Sequence, residues 1–346
     1  MRMGPSTRVR RAVRFLPAWL LLCALLSATG GSGHATASPG VSAHSLSLES
    51  APTANPASRD TAEQRPEPPI PCRFVDSRGF AWMLASMDAT DQPRWRTAFP
   101  IDGETPQAAG AAVGMILPHH DVAAPMIGRV LSETADALAR DGMMPEVVIL
   151  MGPNHAREGA QQIQTYPNDW DTPEGVMPAE RRWAEELARI HAAAGDPLLM
   201  EREHALSYLV PWIHHFFPEA SLLPVLLSGA LDGKGCETLS DSLSAFTTRK
   251  HCLVVASIDF SHDRTPEEAL DFDAVTWQRM RDGDADGVLG LDNRYLDAPP
   301  TLATFLMTME RMGAGTPVLA GHAEASLFLG RRVEATTSHL AVVFPP

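Results

Sequence analysis

The chain has 346 residues, 45% hydrophobic and 20% charged, so it can bury a core and global disorder is excluded. At about 150 residues per domain, that length fits one large α/β domain or two smaller ones. With 28 lysines and arginines against 42 aspartates and glutamates, the net charge of −14 argues against nucleic acid and anionic membrane surfaces as main partners.

The first 37 residues read as an export signal. Arg2, Arg8, Arg10, Arg11 and Arg14 form a basic start without acids, and an apolar run follows at 15–28 (FLPAWLLLCALLSA). Ala35-Thr36-Ala37 offers a cleavage site. The run falls short of the ~20 apolar residues that a membrane span needs. The expectation is a periplasmic or secreted protein with no stable span after processing; an uncleaved N-terminal anchor is the alternative. Arg10-Arg11 raises a twin-arginine route and Cys23 a lipid attachment, but the residues around both match poorly. Residues 38–71, rich in Ser, Ala, Pro, Thr and Glu, lack periodic apolar positions and read as a flexible tether. That leaves 72–346 as one folded domain with three cysteines, Cys72, Cys236 and Cys252. An odd number excludes a complete disulfide framework, and their spacing resembles no zinc site.

Short apolar runs at 112–117, 146–151, 222–227, 252–258, 317–320 and 339–344 predict strands buried on both faces. Helices are expected at about 124–141, 178–194, 204–216, 236–249, 265–282 and 299–313, with Pro178 in a first turn and Gly195 as a stop. The alternation predicts a mostly parallel sheet covered by helices on both faces. The last strand directly follows 334–338 and can close a β-hairpin at one edge.

Three of these strands run into histidine-bearing turns: Pro118-His119-His120-Asp121, Gly152-Pro153-Asn154-His155 and Asp259-Phe260-Ser261-His262-Asp263. In an open parallel sheet, loops leaving the strand carboxyl ends gather at one edge, where ligands bind. His119, His155, Asp259 and His262 can therefore meet in space. A further polar cluster, Glu201-Arg202-Glu203-His204, precedes a predicted helix. Imidazole with carboxylate is the ligand set of zinc, iron, copper or manganese. Two histidines and one carboxylate with open positions suit activation of oxygen or substrate at iron. Spare imidazoles suit acid–base work, because they titrate near neutrality.

Plainer readings stand beside this one. A single histidine after a strand is commonly a hydrogen-bonded loop residue; three such turns make the stronger case. Ser257, Asp259, Ser261 and His262 hold the side chains of a hydrolase, but there is no G-x-S-x-G elbow and no phosphate-binding G-x-x-x-x-G-K-[ST] loop. His214-His215 reads as one solvent-facing and one core-edge residue, and His191 and His251 as surface. His322 reads as structural, although its strand brings it near the same edge. Trp212, Phe216 and Phe217 read as core.

In this order the motifs resemble the MEMO-like family, which includes bacterial proteins labelled AmmeMemoRadiSam system protein B. The resemblance rests on Pro118-His119, Gly152 to His155, the Glu203-His204 pair running into Pro211-Trp212, and the stretch from Phe217 to Val225. Asp259 to His262 and Thr337-Ser338-His339 complete it, so that it spans about 110–344. It implies a three-layer α/β/α sandwich similar to class III extradiol dioxygenases. It also implies non-haem iron or copper, with zinc or manganese as further options. His119 and His155 would be metal ligands, with Asp259 and His262 in the pocket as ligands or proton-transfer groups, flanked by Glu203 and His204. Asn154, Glu203 and Ser261 are expected to line the pocket, together with His120 and Asp121, which this chain adds at its rim.

The chain also departs from the family pattern. Animal relatives supply a cysteine ligand where this chain reads Tyr295-Leu296-Asp297-Ala298, so Asp297 or Asp259 is expected to replace it. An oxygen ligand shifts preference from copper toward iron, manganese or zinc. The P-H-A-G-Y turn is here Pro118-His119-His120-Asp121-Val122, and E-H-S is Glu203-His204-Ala205. An export signal also argues against the cytoplasmic AMMECR-type and radical-SAM partners that the family label suggests. Two functions are therefore expected. One is an exported metalloprotein doing redox or dioxygenase-like chemistry on a small substrate, with His262 or His204 moving protons. The other is a non-catalytic module that binds metal or a ligand in the same crevice.

Overall fold

Strand runs with no polar alternate position need cover on both faces, and a seven-stranded sheet receives it from helices on either side. The computed structural model describes residues 67–87, 93–193 and 195–346. The expected export signal at 1–37 and the expected tether up to residue 66 lie outside the described residues. In chain order the first elements are β1 (Ile70–Pro71), α1 (Ser77–Met87), β2 (Gly114–Leu117), α2 (Ala124–Asp141), β3 (Val147–Pro153) and β4 (Ile163–Gln164). Then come β5 (Trp170–Thr172), β6 (Gly175–Met177), α3 (Arg181–His191), α4 (Pro197–Arg202), α5 (His204–Ser207), α6 (Val210–Phe216) and β7 (Ser221–Leu227). The last are α7 (Gly233–Thr247), β8 (Cys252–Ser257), α8 (Pro266–Asp282), α9 (Ala285–Leu289), α10 (Pro299–Met312), β9 (Val318–Glu324), α11 (Ala325–Leu329) and β10 (Ser338–Phe344).

The main sheet has the order β4-β7-β3-β8-β2-β10-β9. Its centre, β7-β3-β8-β2, is parallel, and β4 and β10 run antiparallel to their neighbours. Alternate side chains of each strand enter opposite cores. From β3, Val148 and Leu150 pack with Phe80, Ile127 and Trp212 of α1, α2 and α6. Val147, Ile149 and Met151 pack with Trp183, Leu243, Trp277 and Phe305 of α3, α7, α8 and α10. This is the expected α/β/α sandwich. β9 and β10 form the expected antiparallel pair at one edge. Because β10 runs against β2, its first residues lie at the carboxyl edge of the parallel strands.

Several expectations are corrected. The expected tether gives up its last residues to the fold: Ile70 and Pro71 pair with Trp170 and Asp171 in a small β1-β5-β6 sheet. Pro178 is not in a helix; its carbonyl accepts from Leu222 N–H at 2.8 Å, which holds the chain extended until α3 starts at Arg181. Nor does Gly195 stop that helix. Ala192 does, at a left-handed φ of 51°, while a Cβ on Gly195 would come within 2.4 Å of the Thr165 carbonyl oxygen. The single helix expected at 204–216 is two, because Pro211 opens a new one at α6. Cys72, Cys236 and Cys252 are free thiols. Among the described residues, no helix is long and apolar enough to cross a membrane.

Candidate metal centre

At the carboxyl edge of the parallel strands three imidazoles converge. His119 lies two residues beyond β2 and is 3% exposed. Its Nδ1 sits 3.1 Å from the hydroxyl of Ser257, the last residue of β8. That hydroxyl gives its one hydrogen to the Ala205 carbonyl at 2.6 Å. It must therefore accept from His119 Nδ1–H, which turns Nε2 to the centre.

His155 lies two residues beyond β3. Glu203, which caps α5 by accepting from Ala205 N–H at 3.1 Å, also accepts from the His155 backbone N–H at 2.9 Å and faces its Nδ1 at 2.8 Å. A buried carboxylate only accepts, so Nδ1 donates and Nε2 turns to the centre. His204, the first residue of α5, stacks on His155 with ring centroids 4.3 Å apart, and its ring lies 5.0 Å from that of His119. One ligand atom from each of His119, His155 and His204 lies within 4.8 Å of the others, so the three could hold a metal ion. Gly152 permits this approach: a Cβ there would lie 3.2 Å from that of Ala205.

Asp297 adds a carboxylate. Its Oδ2 lies 3.3 Å from His119 Nε2 and 3.2 Å from His155 Nε2, and its Oδ1 is buried without a partner. Burial raises its pKa, but bonds from His119 and His155 outweigh that and hold it down at about 2. Burial likewise pulls His155 down, and the bonds to Asp297 and Glu203 override it, raising the imidazole to about 10. Burial and the neighbouring His119 and His155 drive His204 down to about 3. Imidazole nitrogens gathered about a buried carboxylate with one unpartnered oxygen are a donor set that suits a divalent cation, which would displace the proton His155 shares with Asp297.

The other expected residues are placed as follows. Asp259 is 1% exposed and its Oδ1 accepts from the His119 backbone N–H at 3.3 Å and from His339 Nδ1 at 3.1 Å. Its Oδ2 is 3.7 Å from His119 Nε2, farther than that of Asp297. Asp259 therefore seats histidines, and Asp297 is the carboxylate among them. The Nδ1 of His262 is buried without a partner. His120 and Asp121 pair with each other at 3.0 Å on the exposed rim. Two expectations are corrected here. Asn154 spends its amide on the Glu158 backbone, closing its own turn. Ser261 turns its hydroxyl to Asp273 and the Ala269 carbonyl, away from the imidazoles. His322 is buried against Asp273 and the Phe99 carbonyl and does not reach the trio.

The sequence reading missed His339 as a member of the site. The signal was available: a hairpin at the sheet edge makes the last strand antiparallel, which brings its opening residues to this edge. It also missed Ser257 as the group that orients His119. That role depends on a contact with Ala205, 52 residues away, which no local motif reveals.

The fold and this edge define an α/β/α protein with a three-histidine candidate metal centre at the ends of its parallel strands. The chain belongs to the Memo-like protein family, whose sequence profile matches residues 96–316. It is 27% identical over 158 residues to a MEMO1 family protein of Caldivirga maquilingensis, covering 44% of this chain and 54% of that one. It is 27% identical over 241 residues to a MEMO1 family protein of Thermococcus kodakarensis, covering 63% and 82%. The chain thus spans about half the length of the first relative and most of the second. A crystal structure of an uncharacterized protein of Escherichia coli K12 superposes with a TM-score of 0.43 at 11% identity, over 66% of this chain and 98% of that one.

Proposed function

We propose that this chain is an exported member of the Memo-like family that binds one divalent metal and uses it in redox or dioxygenase-like chemistry on a small substrate. The observation that carries the reading is the convergence of His119, His155 and His204, two of them oriented by Ser257 and Glu203 with Nε2 turned to the centre. Imidazole suits iron, copper and zinc, and the Asp297 oxygen favours iron over copper. Iron and copper come first for the redox role, with zinc and manganese behind. When bound, the metal supplies Lewis acidity and a second oxidation state. The protein's own part is to aim its donors. Ser257 and Glu203 fix two rings, Asp259 holds the His119 backbone, and His262 offers an unpartnered Nδ1 that can hold or release a proton. Export is inferred from the arginine-rich start and the apolar run at 15–28. It would separate this chain from cytoplasmic AMMECR-type and radical-SAM partners.

Metal analysis of protein recovered from its native compartment tests the reading. Near-stoichiometric metal is expected, lost in His119→Ala and His155→Ala. Equal metal content in parent and both variants would sink it. Oxygen uptake in the presence of small substrates then separates an enzyme from a module that only binds.

A further inference from the structure

Behind the metal edge lies a second buried polar cluster that the three imidazoles do not use. Asp273, midway along α8, is wholly buried. Its Oδ1 accepts the hydroxyls of Ser261 at 3.1 Å and Ser338 at 2.7 Å, and its Oδ2 lies 3.0 Å from His322 Nε2. His322 donates its Nδ1–H to the Phe99 carbonyl at 2.9 Å. The group is satisfied, but burying a carboxylate with an imidazole is costly, and an apolar residue of like size often packs as well. Holding the helix on the sheet therefore does not account for it.

What the cluster holds lies one residue further along each chain. Ser261 precedes His262, and Ser338 precedes His339. The Nδ1 of His262 and the Nε2 of His339 are both buried and unpartnered. The two segments are laced together: Phe260 N–H donates to the Ser338 carbonyl and Ser338 N–H to the Ser261 carbonyl, each at 3.0 Å. Beside the lace, Asp259 accepts from His339 Nδ1 and from the His119 backbone. We propose that Asp273 is a positioning residue of the metal edge. By gripping Ser261 and Ser338 it fixes how His262 and His339 face the site, and through Asp259 it steadies the seat of His119. Side chains that aim a functional group from behind need such fixed partners.

The test is nitrogen NMR of the metal-free full chain labelled with ¹⁵N-histidine. His339 is expected as one fixed tautomer, hydrogen on Nδ1 and Nε2 bare, assigned by its loss in His339→Asn. In Asp273→Ala and in Ser338→Ala these two signals move toward tautomer averaging. The His119 pair, held by Ser257, moves less in Ser338→Ala. Asp273→Asn, which keeps an oxygen for both serines, restores the parental His339 pattern. Ser338→Ala removes a single hydroxyl, so it decides the matter if Asp273→Ala does not fold. A parental His339 pattern in folded Ser338→Ala overturns the proposal. So does a folded Asp273→Asn that behaves like a folded, averaged Asp273→Ala. The readout needs neither metal nor substrate, so it stands apart from the fate of the proposed function.

Discussion

Glu203 holds His155 at two points, accepting its backbone N–H at 2.9 Å on Oε2 and facing its Nδ1 at 2.8 Å with Oε1. The same carboxylate caps α5, the helix that begins with His204. One buried side chain thus sets two of the three imidazoles. Burial alone would raise its pKa, but the bond and charge of His155 bring it below the ordinary value, so it stays an acceptor.

Glu203→Gln should therefore weaken metal binding without removing a ligand. Loss of a partner behind a ligating histidine typically costs about 10–100-fold in affinity. Competition titration with a chromophoric chelator measures it. A dissociation constant within twofold of the parent would show that Glu203 does not orient the ring.

Ser257→Ala tests the other orienting contact. It leaves His119 Nδ1 and the Ala205 carbonyl facing each other without a bridge, both in buried surroundings. A buried polar group left unpaired costs about 1–3 kcal/mol. Urea unfolding of the metal-free protein should show a loss of that size. Metal affinity should fall as well, because the His119 ring is then free to change tautomer. A variant as stable as the parent would mean that neither bond matters.

Gly152→Val probes the backbone approach that brings α5 to β3. A Cβ at this position already crowds Ala205 at 3.2 Å and Leu206 at 3.3 Å, and two further methyl groups must push the helix away. Overpacking of this kind typically costs about 1–3 kcal/mol. His204 should move out of reach of its partners, so metal affinity should drop further than stability alone explains. Calorimetry with parallel metal titration separates the two losses. An unaltered site would show that α5 has room to spare.

Much of the fold was legible because its signals are local. Runs such as 147–151 are apolar at every position, which a strand covered on both faces requires, and α2 runs over the residues its periodicity predicted. The turns bearing His119, His155 and Asp259 could be read as converging because parallel strands deliver their ends to one edge. What stayed hidden depends on contacts between distant segments. Asn154 and Ser261 sit beside candidate site residues in sequence, yet their hydrogen bonds run to Glu158 and Asp273. Glu203 and His204 stood out as a polar pair, but only the fold shows that one is the holder and the other a member of the trio. The small β1-β5-β6 sheet has strands of two or three residues, too short for any periodicity to register.

The three thiols of the folded unit offer a test that owes nothing to the metal edge. Burial pushes the Cys252 thiol up to about 12, with the Glu146 carboxylate adding to it, and burial raises Cys72 and Cys236 as well. The reactive species is the thiolate, so folded protein at pH 8 should react with a disulfide reagent far more slowly than an ordinary cysteine whose pKa lies near 8.5. A Cys23→Ser variant removes the fourth thiol from the count. Ellman titration should find little reaction in buffer and three thiols in urea. Above pH 9 the Cys252 rate should keep climbing with each unit instead of levelling off. Prompt reaction of any of the three at pH 8 in the folded protein would show that thiol to be open and ionised, contrary to its surroundings.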